Sequence, residues 1–559
     1  MAGESLIIGD GNWGVKSSSL LGYAVNSGRF VPRDLTFTRA TTGTRTNGAL
    51  LVETTPYNLV QYSEQFNISP WSLINGATIA ANTTTAPDGT LTADTLTFNG
   101  TAFGQIQQAS TRTTGDILTF SLWIKSSSLT SIALYIGNDT SSVAITSSWQ
   151  RISITKTITS NSATPKIVSS VAGSVDIWGA QLVEGSSALD YLPTTTRLNI
   201  PRIDYSTGTA ALLLEPQRTN LALFSEQFDD PTWTKGFSSV AANSNTSPSG
   251  IANADTFTAN GTSATHVVSQ NQPLISFTTG TSYAVTFYVK KSTNNFVQIY
   301  SFNVTGGQFA NFDVNIGIVG SVGTTFGSNP TSSITSVGNG WYRCSMIFTA
   351  AATNLSGFGI ALVSSSTSAR LESNTLSTSV FLWGAQLEVG AYATSYIPTT
   401  SASVTRNADT MTRSNIFTEG LITAAGGTWF VNLKNNIPIT RDGIESGIYI
   451  DSLSGGFTNG INIRNAAAAS RVSISKWIAG AGTPLYNTTT DNVKIAIKWN
   501  GTTADIFENG VKVVSATSFA ITNMEFLQAF GNASARKFIS SIMLYPTPLS
   551  DAECINITK

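Results

Sequence analysis

An internal repeat constrains this chain more than any other feature. Asn58-Leu59-Val60-Gln61-Tyr62-Ser63-Glu64-Gln65-Phe66 returns as Asn220-Leu221-Ala222-Leu223-Phe224-Ser225-Glu226-Gln227-Phe228, 162 residues later (58 to 220), and Trp71 returns as Trp233 at the same spacing. Leu50-Leu51-Val52-Glu53 reappears as Leu212-Leu213-Leu214-Glu215, and Ala93-Asp94-Thr95 as Ala254-Asp255-Thr256. Both copies close alike. Asp176-Ile177-Trp178-Gly179-Ala180-Gln181-Leu182 is echoed by Phe381-Leu382-Trp383-Gly384-Ala385-Gln386-Leu387, and Tyr191-Leu192-Pro193-Thr194-Thr195 by Tyr396-Ile397-Pro398-Thr399-Thr400. The closing motifs lie 205 residues apart (178 to 383), so the second copy carries insertions, chiefly around Gly306–Val337. Insertions of this kind are expected as loops on a fixed scaffold. Motifs recurring in one order mean one module built twice.

Within each copy the apolar residues alternate with period two, which is the signature of strands. Leu118, Phe120, Leu122 and Ile124 share one face, as do Tyr283, Val285, Phe287 and Val289 in the second copy. Ile132, Leu134 and Ile136 follow after the polar turn Ser126–Thr130, and Trp149–Ile154 matches Trp341–Ile347. No stretch holds a helical period with caps. The pattern predicts an all-β chain of tandem antiparallel sandwiches.

After about Met411 the repeat ends. Thr428–Leu433 reads as a strand, and Val493, Ile495, Ile497 and Trp499 alternate with polar residues. Asn509-Gly510, between Ala504–Glu508 and Val511–Val514, is the strongest short hairpin signal. Phe538–Tyr545 is the last strand.

Charge excludes some partners. Lys and Arg number 31 against 32 Asp and Glu, leaving no basic footprint for nucleic acid. No apolar run approaches the roughly 20 residues that span a bilayer. The N-terminal Met-Ala-Gly-Glu-Ser lacks the basic and apolar regions of a signal peptide, so synthesis in a cytoplasm is expected. Cys344 and Cys554 lie in different segments and are expected as free thiols.

The Asn-Leu…Ser-Glu-Gln-Phe…Trp opening and the Trp-Gly-Ala-Gln-Leu…Tyr-Pro-Thr-Thr ending resemble the carbohydrate-binding-like jelly-roll modules of bacteriophage fibre proteins, over Tyr57–Thr196 and Thr219–Ser403. The segment from about Thr412, ending in Leu549-Ser550-Asp551-Ala552-Glu553, resembles a concanavalin-like (laminin-G-like) lectin sandwich. The resemblance implies a virion surface appendage made in the host cytoplasm, a homotrimer, and attachment to other virion proteins. The expected layout is 1–56, an N-terminal attachment segment and connector; 57–196, module 1; 197–218, connector; 219–403, module 2; and 404–559, the lectin-type sandwich. Asp34–Thr55, with Thr38-Arg39 and Leu50–Glu53, reads as the first connector and Ile200–Pro216 as its repeat; Val404-Thr405-Arg406 starts a truncated third.

Catalytic chemistry finds little support. The single histidine, His266, has no nucleophile turn to serve and reads as a solvated or loop residue. Neither Cys/His metal spacing nor a phosphate-binding glycine loop occurs, so no cofactor and no metal are expected. Asp442, Glu445 and Asp451 are candidate Ca²⁺ ligands, but no oxygen-ligand spacing is apparent and they read as solvated loop acids. A glycosidase needs only two carboxylates, but the recurring Glu64/Glu226 and Asp94/Asp255 sit in framework motifs and read as turn acids. The chain is therefore expected to be non-enzymatic.

Glycan contact has one sequence candidate. Most tryptophans, Trp178 and Trp383 included, read as core. Trp123 and Tyr135, matched by Tyr288 and Tyr300, fall opposite the apolar alternation on consecutive strands, which predicts cross-strand neighbours on an outer face. These four form the expected platform for host cell-surface glycans. The rival readings are a capsid decoration or head-fibre protein with weak glycan adhesion, a polysaccharide depolymerase, and a bacterial adhesin that the missing export signal disfavours.

Overall fold

The computed structural model describes the chain except residues 1–2, 12, 17–18, 21, 27–28, 56–57, 102, 113–114, 189–190, 196–199, 303–306, 424, 435–446, 453–457, 466–471, 491, 520–522 and 531–535. The fold is all-β, built of tandem antiparallel sandwiches. Residues 15–19 and 54–200 form one compact unit; residues 1–14, 20–53 and 201–559 form the other.

Module 1 is two five-stranded sheets. One runs Thr78–Thr84, Ala93–Phe98, Gly173–Glu184, Ile117–Lys125, Gln150–Thr157; the other runs Trp71–Ile74, Gly104–Gln108, Pro165–Ser169, Ser131–Ile136, Asp139–Ala144. Their inner faces hold the alternating residues read from sequence, with Leu118, Phe120, Leu122, Ile124, Leu134 and Ile136 at 0% exposure. Asp94 ties this frame together. Its carboxylate accepts the main-chain N–H of Phe66 (2.9 Å) and of Asn82 (2.8 Å).

Module 2 keeps that strand order and adds one edge strand to each sheet. Asp255 repeats the role of Asp94, accepting from Phe228 (2.8 Å) and Asn243 (2.9 Å). The insertion around Gly306–Val337 was expected as loops. Its described part instead builds the strands Phe309–Asp313, Ile318–Gly323 and Thr331–Ser336. The apolar alternation of Ala310 and Phe312, both fully buried, pulls this stretch onto the sheet edge. His266, expected in solvent, is also fully buried, its ring nitrogens facing the carbonyls of Phe237 (2.7 Å) and Asn374 (3.2 Å).

The third sandwich draws on three separate parts of the chain, residues 6–38, 202–214 and 410–545. One sheet runs Val511–Ser518, Thr503–Glu508, Val493–Trp499, Gly427–Lys434, Lys537–Tyr545, Leu6–Gly9, Tyr23–Asn26, Arg29–Pro32. The other includes Leu35–Thr38, Thr410–Arg413, Phe526–Phe530, Gly447–Asp451, Gly460–Asn465, Val472–Ile478 and Ala481–Thr488 in that order. Asn509 (φ 46°) and Gly510 (φ 83°) supply the two left-handed residues of the predicted hairpin turn. The chain closes on the helix Asp551–Thr558, where Ser550 and Glu553 cap each other reciprocally. Cys344 and Cys554 are buried free thiols.

Residues expected within an N-terminal attachment segment and connector thus enter the third sandwich. Leu6 sits opposite Leu544 and Gly9 opposite Ser541, while Phe37 sits opposite Met411. The physical reason is burial: Leu6, Ile8 and Phe37 are at 0% exposure, apolar surface that a free segment would leave in water.

The connectors share a second feature. Each supplies one arginine from its Thr-Arg or Pro-Arg step, and Arg39, Arg202 and Arg406 converge in the interior. Arg39 donates to Asp409 (2.8 Å), Arg202 to Glu215 (2.9 Å) and to Asp409, and Arg406 lies 3.0 Å from Glu215. The Ser395 hydroxyl donates to Glu215 (2.6 Å) and accepts from Arg202 (2.7 Å) and Arg406 (2.8 Å). Burial alone would raise the Glu215 carboxyl; Arg406, Arg202 and Ser395 outweigh it and hold it well below the usual carboxylate range.

Candidate functional site

The four predicted platform residues do not form one platform. Ile117–Lys125 and Ser131–Ile136 belong to opposite sheets of module 1, so Trp123 and Tyr135 lie on opposite outer faces. Ser282–Lys291 and Phe296–Ser301 divide in the same way, separating Tyr288 from Tyr300. The Ser126–Thr130 turn crosses between sheets where a hairpin was assumed. Tyr288 and Tyr300 are also buried, at 3% and 2% exposure, and only Trp123 and Tyr135 remain half-buried.

Trp123 belongs instead to an aromatic cluster with Trp178 (5.3 Å between ring centroids) and Tyr191 (5.2 Å). Arg151 lies over the Trp123 ring at 4.6 Å. Module 2 repeats the cluster as Tyr288, Trp383 and Tyr396, with Arg343 over Tyr288 at 5.4 Å. The Trp-Gly-Ala-Gln-Leu motif follows from this packing. Gly179 (φ 63°) and Gly384 (φ 62°) lie directly beneath the rings, where a Cβ would come within 2.9 Å of Trp123 and 2.8 Å of Tyr288. Tyr191 and Tyr396 donate to Glu64 (3.2 Å) and Glu226 (3.1 Å), and burial, then those carboxylates, push both phenols well above 10. The recurring glutamates thus hold the framework. With Arg151 over one face and Gly179 beneath it, Trp123 offers little flat surface for a sugar.

A concave site lies elsewhere on module 1. A groove of about 550 Å³ is lined by Leu59, Gln61, Pro70, Gln108, Arg112, Asn161 and Thr164, among others. Its back wall is tied by side-chain to main-chain hydrogen bonds. Gln108 accepts the Gln61 N–H (2.7 Å) and donates to the Gln61 carbonyl (2.8 Å). The two loops that frame it are stitched by main-chain bonds, Arg112 N–H to Asn161 O (3.1 Å) and Ala163 N–H to Ser110 O (2.9 Å). Asn161 is exposed and Gln61 and Arg112 half-buried at the lining. These amide, hydroxyl and guanidinium groups can hydrogen-bond a neutral polyhydroxyl ligand while Leu59 and Pro70 supply apolar contact. Module 2 replaces Gln61 with Leu223, and its long strand His266–Phe277 runs on where module 1 has the framing loop. Sequence reasoning missed this groove because its lining comes from four separated stretches.

Asp442 and Glu445 lie outside the described residues. Asp451 accepts the main-chain N–H of Thr458 (3.2 Å), and among the described residues no three His, Cys, Asp or Glu side chains cluster as metal ligands.

No protein-family model matches the chain, and no curated protein matches it in sequence. Solved structures do. The N-terminal tandem CBM22 domain of a Paenibacillus barcinonensis protein matches at 11% identity and TM-score 0.20, over 59% of this chain and 97% of that one. Trypanosoma rangeli sialidase bound to 2,3-difluorosialic acid matches at 8% identity and TM-score 0.21, over 98% of this chain and 92% of that one. The same sialidase bound to sialic acid matches at 8% identity and TM-score 0.19, over 98% and 92%. The matched structures include a sialidase as well as binding modules, so the expectation of a non-enzymatic chain is not kept. At these TM-scores the likenesses assign no residue, ligand or reaction.

Proposed function

We propose that this chain is a surface adhesion protein whose module 1 binds glycans in the groove between Gln61, Arg112 and Asn161. The groove itself carries this reading, a cavity of about 550 Å³ with a hydrogen-bonded wall and a polar rim. Its groups match the chemistry of a sugar, many hydroxyls that each donate and accept. Placement on a phage fibre or appendage is the finer part of the proposal. It is supported by the twin framework motifs alone, and antibody labelling of purified particles checks it.

The test is an Arg112→Ala, Asn161→Ala double variant on a glycan array. Two lost hydrogen bonds, one of them charged, are each worth about 0.5–3 kcal/mol. Binding should fall at least tenfold with an unchanged melting temperature. An array silent for the wild-type chain, or one on which the double variant binds as well, sinks the proposal.

A further inference from the structure

The aromatic cluster that the two modules share is covered in one and uncovered in the other. In module 2 the first connector lies across it. The Val52 N–H donates to the Pro248 carbonyl (2.9 Å), and Val52 packs with Tyr288, Trp341, Trp383 and Tyr396. Leu51 sits on the turn below, 3.1 Å from where a Cβ of Gly250 would be. Under this segment Pro248 is buried and Trp341 is at 1% exposure.

Module 1 has the same seat. Ala86-Pro87-Asp88-Gly89 repeats the turn Ser247-Pro248-Ser249-Gly250 with the same bonds, Gly89 N–H to Ala86 O (3.0 Å) matching Gly250 N–H to Ser247 O (3.0 Å). Trp149 donates to Thr85 O (3.0 Å) as Trp341 donates to Thr246 O (3.0 Å). Yet Pro87 is exposed, Trp149, Trp123 and Tyr191 are half-buried, and a Cβ built at Gly89 meets no described atom within 4 Å.

We propose that this open face of module 1 docks an extended aliphatic segment of a different protein, of the Leu-Leu-Val type that module 2 receives from its own chain. The ring wall gives the apolar seat, and the turn carbonyl at Pro87 gives a main-chain acceptor, as extended peptides are recognised elsewhere. The donor is placed on another protein because both Leu-Leu-Val-type segments of the sequence are already engaged. Leu50–Val52 already covers module 2, Leu212–Leu214 is buried in a sheet against Lys537–Tyr545, and the third connector lacks the motif. This seat is separate from the glycan groove and does not depend on it.

The probe is the synthetic peptide Ala-Leu-Leu-Val-Glu-Thr, titrated into the full-length chain and followed by tryptophan fluorescence. Saturable one-to-one binding is expected. Gly89→Asn should weaken it at least tenfold, since asparagine tolerates the left-handed turn (φ 87°) while its side chain fills the leucine seat. A peptide with Asp in place of its Val should lose at least tenfold as well, a control that leaves the protein untouched. No saturable binding, or binding indifferent to both changes, overturns the proposal. So does self-association of the wild-type chain that Gly89→Asn abolishes, or retention on immobilised polysaccharide that Gly89→Asn abolishes while the peptide does not bind.

Discussion

Asp409→Asn should be among the most damaging single substitutions in the chain. Asp409 is at 0% exposure and accepts from Arg39 (2.8 Å), from Arg202 and from the Glu215 N–H (2.8 Å). Three guanidinium groups there face two carboxylates, so removing one charge leaves a single carboxylate for all three. Two charge-assisted hydrogen bonds at about 1.5–3 kcal/mol each set the scale. That agrees with the roughly 3–5 kcal/mol lost when one partner of a buried pair is removed. At about 2–4 °C per kcal/mol, and nearer the lower figure for a large unit, the melting transition should fall by about 6–12 °C. Differential scanning calorimetry of the full-length chain measures this. Arg45→Ala is the comparison, because Arg45 and Glu53 pair at 2.7 Å with partly exposed side chains. Its loss should cost about 1 kcal/mol or less. A shift below about 2 °C for Asp409→Asn, or an equal shift for both variants, would refute the view that the arginine cluster holds the connectors together.

Two further predictions concern the shared frame. Gly384→Ala forces alanine into φ 62° with its Cβ 2.8 Å from the Tyr288 ring, which should cost about 2–4 kcal/mol in urea titrations; Gly179→Ala should cost less, because the half-buried Trp123 ring can move outward. Burial raises the Asp255 carboxyl to about 6, so the folded state holds a proton that the unfolded state has released. Stability should therefore rise as pH falls from about 7 towards 4, and Asp255→Asn should flatten that rise in urea midpoints measured across the range.

The modules were legible in the sequence because their information is local and doubled. Period-two alternation put Leu118–Ile124 and Ile132–Ile136 on inner faces, and the motif pairs fixed equivalent positions such as Trp178 and Trp383. Which sheet each strand joins was not legible. Trp123 and Tyr135 parted because alternation fixes a residue's face and not its strand's neighbour. The pairing of Leu6–Gly9 with Ser541–Leu544 leaves no local trace at all. The Thr-Arg steps marked the connectors, yet nothing in their spacing showed that three arginines would share two acids. The module 1 groove was hidden for the same reason, since Gln61, Arg112 and Asn161 are ordinary polar residues until the loops bring them together.

The Leu6–Gly9 strand also imposes an order on biosynthesis. Of its two hydrogen-bonding neighbours, Ser541–Leu544 leaves the ribosome more than five hundred residues later. Module 1, whose strands run without interruption from Trp71 to Glu184, can condense long before that. At about 5–20 residues per second, the leading strand waits roughly half a minute to two minutes for Ser541–Leu544. During that wait Leu6 and Ile8, fully buried at the end, have only the neighbouring hairpin Tyr23–Pro32 to pair with. The third sandwich therefore cannot close until the last part of the chain is made, and its contacts are the most distant in sequence, the kind that close slowly.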